Sequence, residues 1–290
     1  KENDTVIFLP LILWKKNWKN AFLHTIVPVG FSDYDYATPI SINQTTPTQS
    51  EYFWKNLVQE LKANIGIKFD KIEISGIEKK FCGDMNFWEE TEECSYIDLK
   101  NYDTYESFLS YFKTKERSNV KRQIKRLEEQ GDLKFEVLGS SQKDRIITIL
   151  PTLLQQHALR WPNAYRAPNF HSNLVHNALD ANLLYFSQLT LNNEPISWGL
   201  GFIYKKKFYF YMLVYVDKYA KFSPGKLNMF YSIEYLIEQK YEIFDFLRGS
   251  EEYKSKLPVH NQTLHKYIKR NNKLISYAKE QLICLKQYFQ

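Results

Sequence analysis

Three apolar stretches of strand length stand almost back to back, at residues 183–191, 196–204 and 208–216. Only the short segments 192–195 and 205–207 separate them, and both are made of turn formers or lysines. Connections that short leave no room for a helix, so the three stretches must be strands joined by turns. Ahead of them, 133–138 places Leu133, Phe135 and Val137 on one side of a strand. Residues 141–161 are helical in period, with Pro151 expected to kink or split the helix. After them come a loop at 217–225, an amphipathic helix at 226–240 and a strand at 243–247. A short helix near 251–257, a strand at 263–270 and a last helix at 274–289 follow. The order β-α-β-β-β-α-β-α-β specifies a mixed sheet of the α/β (α+β) class.

The first hundred residues read as a separate mixed unit. Strands are expected at 6–13, 24–31, 71–77 and 96–99, with a long polar loop at 32–49. Phe53, Leu57 and Leu61 recur four apart, and Gly66 stands just past them, which predicts a helix over 50–64. The acidic stretch 84–98 is expected to be mostly exposed loop. Two helices then bridge the halves. Asp103 and Glu106 have capping-box spacing ahead of Phe108, Leu109 and Phe112, and Val120, Ile124 and Leu127 face inward from a helix over 118–130. The domains expected are 1–100 and 101–290.

Charge is uneven. The 39 basic and 33 acidic residues give a net charge of +6. Residues 113–126 hold seven basic side chains and one acid, Glu116, whereas 84–98 hold six carboxylates and no base. The basic segment suits phosphate, or is a solvated helix face. The nine-residue apolar run at 6–14 is well short of the ~20 residues that span a bilayer, so no transmembrane segment is expected. Three cysteines, Cys82, Cys94 and Cys284, are too few and too scattered for a disulfide framework or a zinc site. No metal is expected, and a cytoplasmic setting follows, including a peripheral place on the inner membrane face.

Several segments have the residue types chemistry needs. Lys221-Phe-Ser223-Pro224-Gly225-Lys226 leads from a strand into a helix, where free backbone N–H groups and the positive helix end suit an anion such as a pyrophosphate. The alternative is a turn that starts a helix. His157 and Arg160 are three apart on a helix and precede Trp161. They suit a general base and an anion-holding group, or a helix end whose dipole favours cations. Asp245 interrupts an apolar strand between Phe244 and Phe246, and a carboxylate there needs a partner, Arg248 or Lys254, or a task. Phosphate-loop, dinucleotide-loop and nucleophile-elbow patterns are absent, and Gly199-Leu-Gly201 lies within a strand, where it marks a close backbone approach.

Taken in order, Arg117-Ser-Asn-Val-Lys-Arg122, Arg126-Leu-Glu, Gly131, His157, Arg160-Trp161, Ser223-Pro-Gly225, Asp245-Phe, Gly249 and Glu252-Tyr253-Lys254 form one pattern. It resembles the GNAT-superfamily acyltransferases of the BioF-like and CelD-like type, relatives of the Fem peptidyltransferases. The resemblance is clearest over 101–268 and extends weakly to Phe31-Ser-Asp33-Tyr34. It implies tandem GNAT-like units, the N-terminal one degenerate, with the second binding an acyl donor, acyl-coenzyme A and most simply acetyl-CoA. On that resemblance 217–226 cradles the donor pyrophosphate, and backbone N–H groups around Tyr215 and Val216 stabilise the oxyanion. His157 or Asp245 is the base, Tyr253 protonates the leaving thiolate, and Lys254 and Arg248 hold an acidic acceptor, a sugar or cell-envelope precursor. The family loop reads Arg/Gln-x-x-Gly-x-Gly/Ala. Counted from Lys221, glycine here is one residue late, and Leu227 stands where a small residue belongs. That departure leaves open a Fem-type aminoacyl-tRNA donor, with Arg117–Arg126 on RNA, or a non-enzymatic glycan-binding GNAT pair. DNA is not an expected partner. If the resemblance holds, His157, Asp245 and Lys254 should converge in one pocket.

Overall fold

The computed structural model describes residues 6–15, 23–30, 34–43, 46–66, 68–83, 88–162 and 169–288. The Phe31-Ser-Asp33 part of the weak N-terminal resemblance lies outside them. The chain divides into two compact units, Lys1–Cys94 with Gln262–Gln290, and Ser95–Asn261. The sequence suggests a single boundary near residue 100; the chain instead divides within a strand and its last 29 residues rejoin the first unit.

The first unit opens with β1 (Ile7–Phe8), β2 (Leu11–Lys15), β3 (His24–Pro28) and β4 (Ile40–Ser41). Helix α1 (Pro47–Ile65) starts three residues earlier than its apolar period predicts. Thr46 and Gln49 form a reciprocal capping box with Pro47 in the first turn, and Gly66 closes the helix at φ 63°. β5 (Lys71–Glu78) and β6 (Trp88–Asp98) follow. The acidic stretch is therefore strand over the whole of its described length, a correction to the loop reading. Its paired glutamates break the period-2 signal, and ion pairing such as Lys266–Glu89 at 3.0 Å compensates their charge.

The second unit runs α2 (Tyr105–Ser110), α3 (Thr114–Glu128), β7 (Leu133–Leu138), α4 (Lys143–Arg160), α5 (Phe170–Asp180), β8 (Leu184–Leu191), β9 (Glu194–Tyr204), β10 (Lys207–Tyr215), α6 (Pro224–Glu238) and β11 (Ile243–Arg248). The cap of α2 is Thr104 with Ser107, one residue on from the Asp103–Glu106 spacing. Pro151 sits within α4 without splitting it, and α5 carries no signal that the sequence reading used. β7, β8, β9 and β10 are antiparallel neighbours in that order, and β11 lies parallel to β10. The chain then returns to the first unit with β12 (His260–Arg270), antiparallel to β5, and α7 (Lys273–Tyr288).

Each face of the second unit's sheet has its own core. Phe208, Phe210, Phe244 and Phe246 pack with α2, α3 and α6, whereas Trp198, Leu200, Met212 and Val214 pack with α4 and α5. Strict alternation would put Phe208, Phe210, Met212 and Val214 on one face. A bulge in β10 between Phe210 and Met212 reverses the facing midway, and it turns Leu213 toward α6. The two strand glycines behave as their position implies. A Cβ on Gly199 would lie 2.5 Å from Ser187 Oγ, and one on Gly201 2.5 Å from the Tyr209 carbonyl.

Candidate active site

β10 and β11 are in parallel register only at Lys207–Ile243, Phe208–Phe244 and Tyr209–Asp245. Both strands continue, to Tyr215 and Arg248, so they part beyond Tyr209. The Val216 N–H is bonded to the Ile196 carbonyl at 3.0 Å. Antiparallel alternation then turns the N–H groups of Leu213 and Tyr215 to the opposite edge, toward the parted β11. Of the two residues suggested as oxyanion donors, Val216 has its N–H committed within the sheet, whereas the N–H of Tyr215, with that of Leu213, is turned toward the gap.

The first turn of α6 is pressed against the end of β10. Ser223 adopts φ 55° at the helix start and gives no side-chain cap. A Cβ on Gly225 would come within 3.0 Å of the Tyr215 ring and 3.4 Å of Leu213. The glycine therefore permits close helix–strand packing. The N–H groups of Gly225 and Lys226 fall in the first turn, before intrahelical bonding begins. Gln123 Nε2 donates to Ser223 Oγ at 3.2 Å and ties α3 to this turn.

Beside that turn lies a cavity of about 400 Å³. Its buried wall includes Phe112, Val120, Met229, Phe230 and Leu257, with the half-buried Leu213. Its polar lining, Glu116, Arg117, Lys226, Tyr253 and Lys256, is more exposed and marks the mouth. Burial lowers the Lys226 pKa, Glu116 opposes that shift and Lys256 adds to it. Burial, with Glu251 nearby, raises the Tyr253 pKa, so its hydroxyl keeps its proton at neutral pH.

Of the residues the sequence singled out, Arg117, Lys226 and Tyr253 line this cavity, and His157, Asp245 and Lys254 are not among its lining residues. Asp245 is fully buried. Its Oδ2 is 2.8 Å from Lys207 Nζ, and its Oδ1 accepts the Leu247 N–H at 2.8 Å. Lys254 is 3% exposed and donates to the carbonyls of Phe246, Arg248 and Gly249 at 3.3, 3.2 and 3.0 Å. It also pairs with Glu251 at 2.8 Å. Leu247 at φ 60° and Gly249 at φ 122° show how sharply the chain turns here. Asp245 and Lys254 hold the end of β11 and the turn that presents Tyr253. Arg248 contributes a carbonyl to that turn.

His157 lies on α4, which packs on the sheet face opposite α6. Burial lowers its pKa below the ordinary 6.5. One turn on, Arg160 donates to the Tyr215 carbonyl at 3.1 Å, lies 3.2 Å from the centre of the Tyr215 ring and pairs with Asp217. His157 thus shares the last turns of α4 with the arginine that reaches the end of β10. Trp161 is 62% exposed. Lys221 lies over the Phe222 ring at 5.0 Å. Nothing in the sequence marks Lys207, in the turn expected at 205–207, as the partner of Asp245, and the bulge that aims Leu213 leaves no mark in an apolar pattern. Among the described residues, no group of three His, Cys, Asp or Glu is placed to hold a metal, and no helix is long and apolar enough to cross a membrane.

Residues 114–255 match the model of the acetyltransferase (GNAT) domain. Over those residues, just under half of the chain, the fold is of the GNAT type. No curated protein matches the sequence. Among solved structures, the fold is similar to the C-terminal domain of a protein described as a lysylphosphatidylglycerol synthetase from Agrobacterium fabrum, at TM-score 0.61 and 13% identity, covering 97% of this chain and 89% of that one. It is also similar to FemX, at TM-score 0.59 and 12% identity, covering 90% and 83%. L-PGS from Bacillus licheniformis is comparable, at TM-score 0.57 and 12% identity, covering 90% and 82%. At these identities the likeness is one of fold.

Proposed function

We propose that the protein transfers an acyl group from a coenzyme A thioester to an amine or hydroxyl of a sugar or cell-envelope precursor. The observation that carries this reading is the parting of β10 from β11 beside the α6 first turn and the cavity with its cationic mouth. The donor phosphates lie at Ser223–Lys226 and the mouth cations, and the pantetheine arm follows the cavity to the gap. The acceptor enters from the α4 face. Its nitrogen or oxygen attacks the thioester carbonyl, a C–N or C–O bond forms, and the C–S bond breaks. His157, held neutral by burial, takes the acceptor proton, and Tyr253 gives a proton to the leaving thiolate. The Leu213 and Tyr215 N–H groups face the developing oxyanion. Holding both substrates in register contributes on the order of 7–11 kcal/mol.

A second reading keeps the chemistry and replaces the thioester by an aminoacyl-tRNA ester. It is favoured by the outward face of α3, where Lys121, Arg122, Lys125 and Arg126 are all exposed. A thiol-release assay with acetyl-CoA and longer acyl-CoAs, against a panel of amino sugars and peptidoglycan precursors, separates the two. Acceptor-dependent thiol release supports the first. Transfer from aminoacyl-tRNA alone, with affinity falling steeply with salt, supports the second.

A further inference from the structure

Helix α6 is buried on most of its sides. Ten of its fifteen residues are buried, and they project in most directions around the axis. A helix apolar on so many sides can turn or slide against a sheet and still bury hydrocarbon, so burial alone does not select one placement. Two of the ten are polar. Asn228 and Ser232 are fully buried and stand one turn apart on the same side. Beneath them lie Tyr185 and Ser187 of β8, both buried. The Asn228 Oδ1 accepts from Ser187 Oγ at 2.7 Å and from Ser232 Oγ at 3.5 Å. Gly199, opposite Ser187 on β9, leaves the space in which they meet. A Cβ there would lie 2.5 Å from Ser187 Oγ and 3.0 Å from Asn228 Oδ1.

Stability does not account for this polar set. The Asn228 Nδ2 has no hydrogen-bond partner, and the Tyr185 hydroxyl stands next to Ser187 and Ser232 without the geometry of a hydrogen bond to either. Apolar residues of the same shape would leave no such orphaned groups. What the polar set does supply is direction. A hydroxyl meets an amide oxygen at one rotation and one height of the helix, whereas methyl against methyl tolerates many. A slip of one residue moves a helix by about 1.5 Å along its axis and about 100° around it. That slip would carry Asn228 off Ser187, and Gly225, three residues earlier, off Tyr215 and Leu213. We infer that Asn228, through Ser187, is the positioning residue of the donor turn. It fixes the rotation and height at which α6 meets the sheet, and so the place of Ser223–Lys226 at the end of β10. What that turn receives rests on the function proposed above; how the turn is held does not.

The test is the double variant Asn228→Leu/Ser187→Ala, which removes both partners together. Its urea midpoint should equal or exceed that of the wild type. In the ligand-free protein, a proton–nitrogen correlation spectrum should show the amide signals of residues 223–230 doubled or broadened, while those of α4 stay single. If about one molecule in ten then holds the competent placement, the KM for the coenzyme A thioester should rise about tenfold with kcat at saturation unchanged. A merely structural role would lower the midpoint and leave this split unmoved. One sharp set of α6 signals, whether or not the midpoint falls, overturns the inference, because apolar packing then sets the placement. A wild type that binds no coenzyme A refutes the donor reading and leaves the ligand-free spectrum to decide this one. Should the double variant not fold, Ser187→Ala alone, which removes only the hydroxyl, is judged by the same spectrum.

Discussion

Replacing Asp245 distinguishes a structural carboxylate from a catalytic one. Its side chain is 1% exposed, and its two oxygens are 2.8 Å from Lys207 Nζ and from the Leu247 nitrogen. Asp245→Asn keeps an acceptor for Leu247 but abolishes the ion pair. Because Lys207 is 25% exposed and can reach water, the expected cost is about 1–3 kcal/mol rather than the ~3–5 kcal/mol of stranding a wholly buried charge. Asp245→Ala also strands the Leu247 N–H, which brings the cost to about 3–5 kcal/mol. Urea unfolding followed by circular dichroism measures both, with an unchanged slope confirming that the midpoint reports stability. A cycle with Lys207→Met should show coupling of about 0.5–3 kcal/mol. Turnover per folded molecule should fall modestly, through misplacement of Tyr253. An Asp245→Asn variant with wild-type stability and turnover reduced a hundredfold or more would refute the argument and make Asp245 the base.

His157→Ala should lower turnover by roughly 100- to 10,000-fold with donor affinity kept; a loss below about tenfold would leave the acceptor proton to water. Because burial lowers the His157 pKa, the wild-type rate should hold until pH falls below the ordinary histidine value of 6.5. Stability should fall in the same window, since the unfolded chain takes up the proton first as pH drops and the folded chain only at its lowered value; a flat pH–stability profile for His157→Ala relative to wild type checks this. Gly225→Val should push on Tyr215 and Leu213 and loosen α6 from β10, so donor affinity and thermal stability should fall together; loss of affinity at unchanged stability would return the glycine to the ligand. Cys82 is buried, and burial pushes its thiol up to about 12, so an aromatic disulfide reagent should leave it unmodified in the native protein. All three thiols should react after unfolding without reductant, and fewer would reveal a disulfide.

The strand run at 183–216 and the helix that follows were legible because short polar turns between long apolar stretches admit one local arrangement. The approach at Gly199 and Gly201 was legible for a similar reason, since only a missing side chain explains glycines in a strand. What stayed hidden depends on neighbours. The loop reading of 84–98 failed because paired glutamates mimic a solvated segment until β12 supplies Lys266. Asp245 reads in the sequence as a carboxylate that needs a partner, yet its partner Lys207 lies on the neighbouring strand β10, a distance in sequence that no local spacing encodes. Lys254 carries a reactive group in a motif-like setting, and only the carbonyl positions reveal that its ammonium is spent on Phe246, Arg248 and Gly249. The bulge in β10 is the subtlest case. It moves Leu213 from one face to the other and so makes the cavity wall, while the sequence Phe-Tyr-Phe-Tyr-Met-Leu-Val reads as ordinary alternation.

The claim that the parted strands and the α6 first turn receive the donor is tested most directly by amide-hydrogen exchange with and without coenzyme A. Added coenzyme A should slow exchange at Leu213, Tyr215, Gly225 and Lys226 and across the 246–257 turn, and leave α5 and α7 unchanged. Protection confined to other segments, or none at coenzyme A concentrations that saturate transfer, would contradict the account.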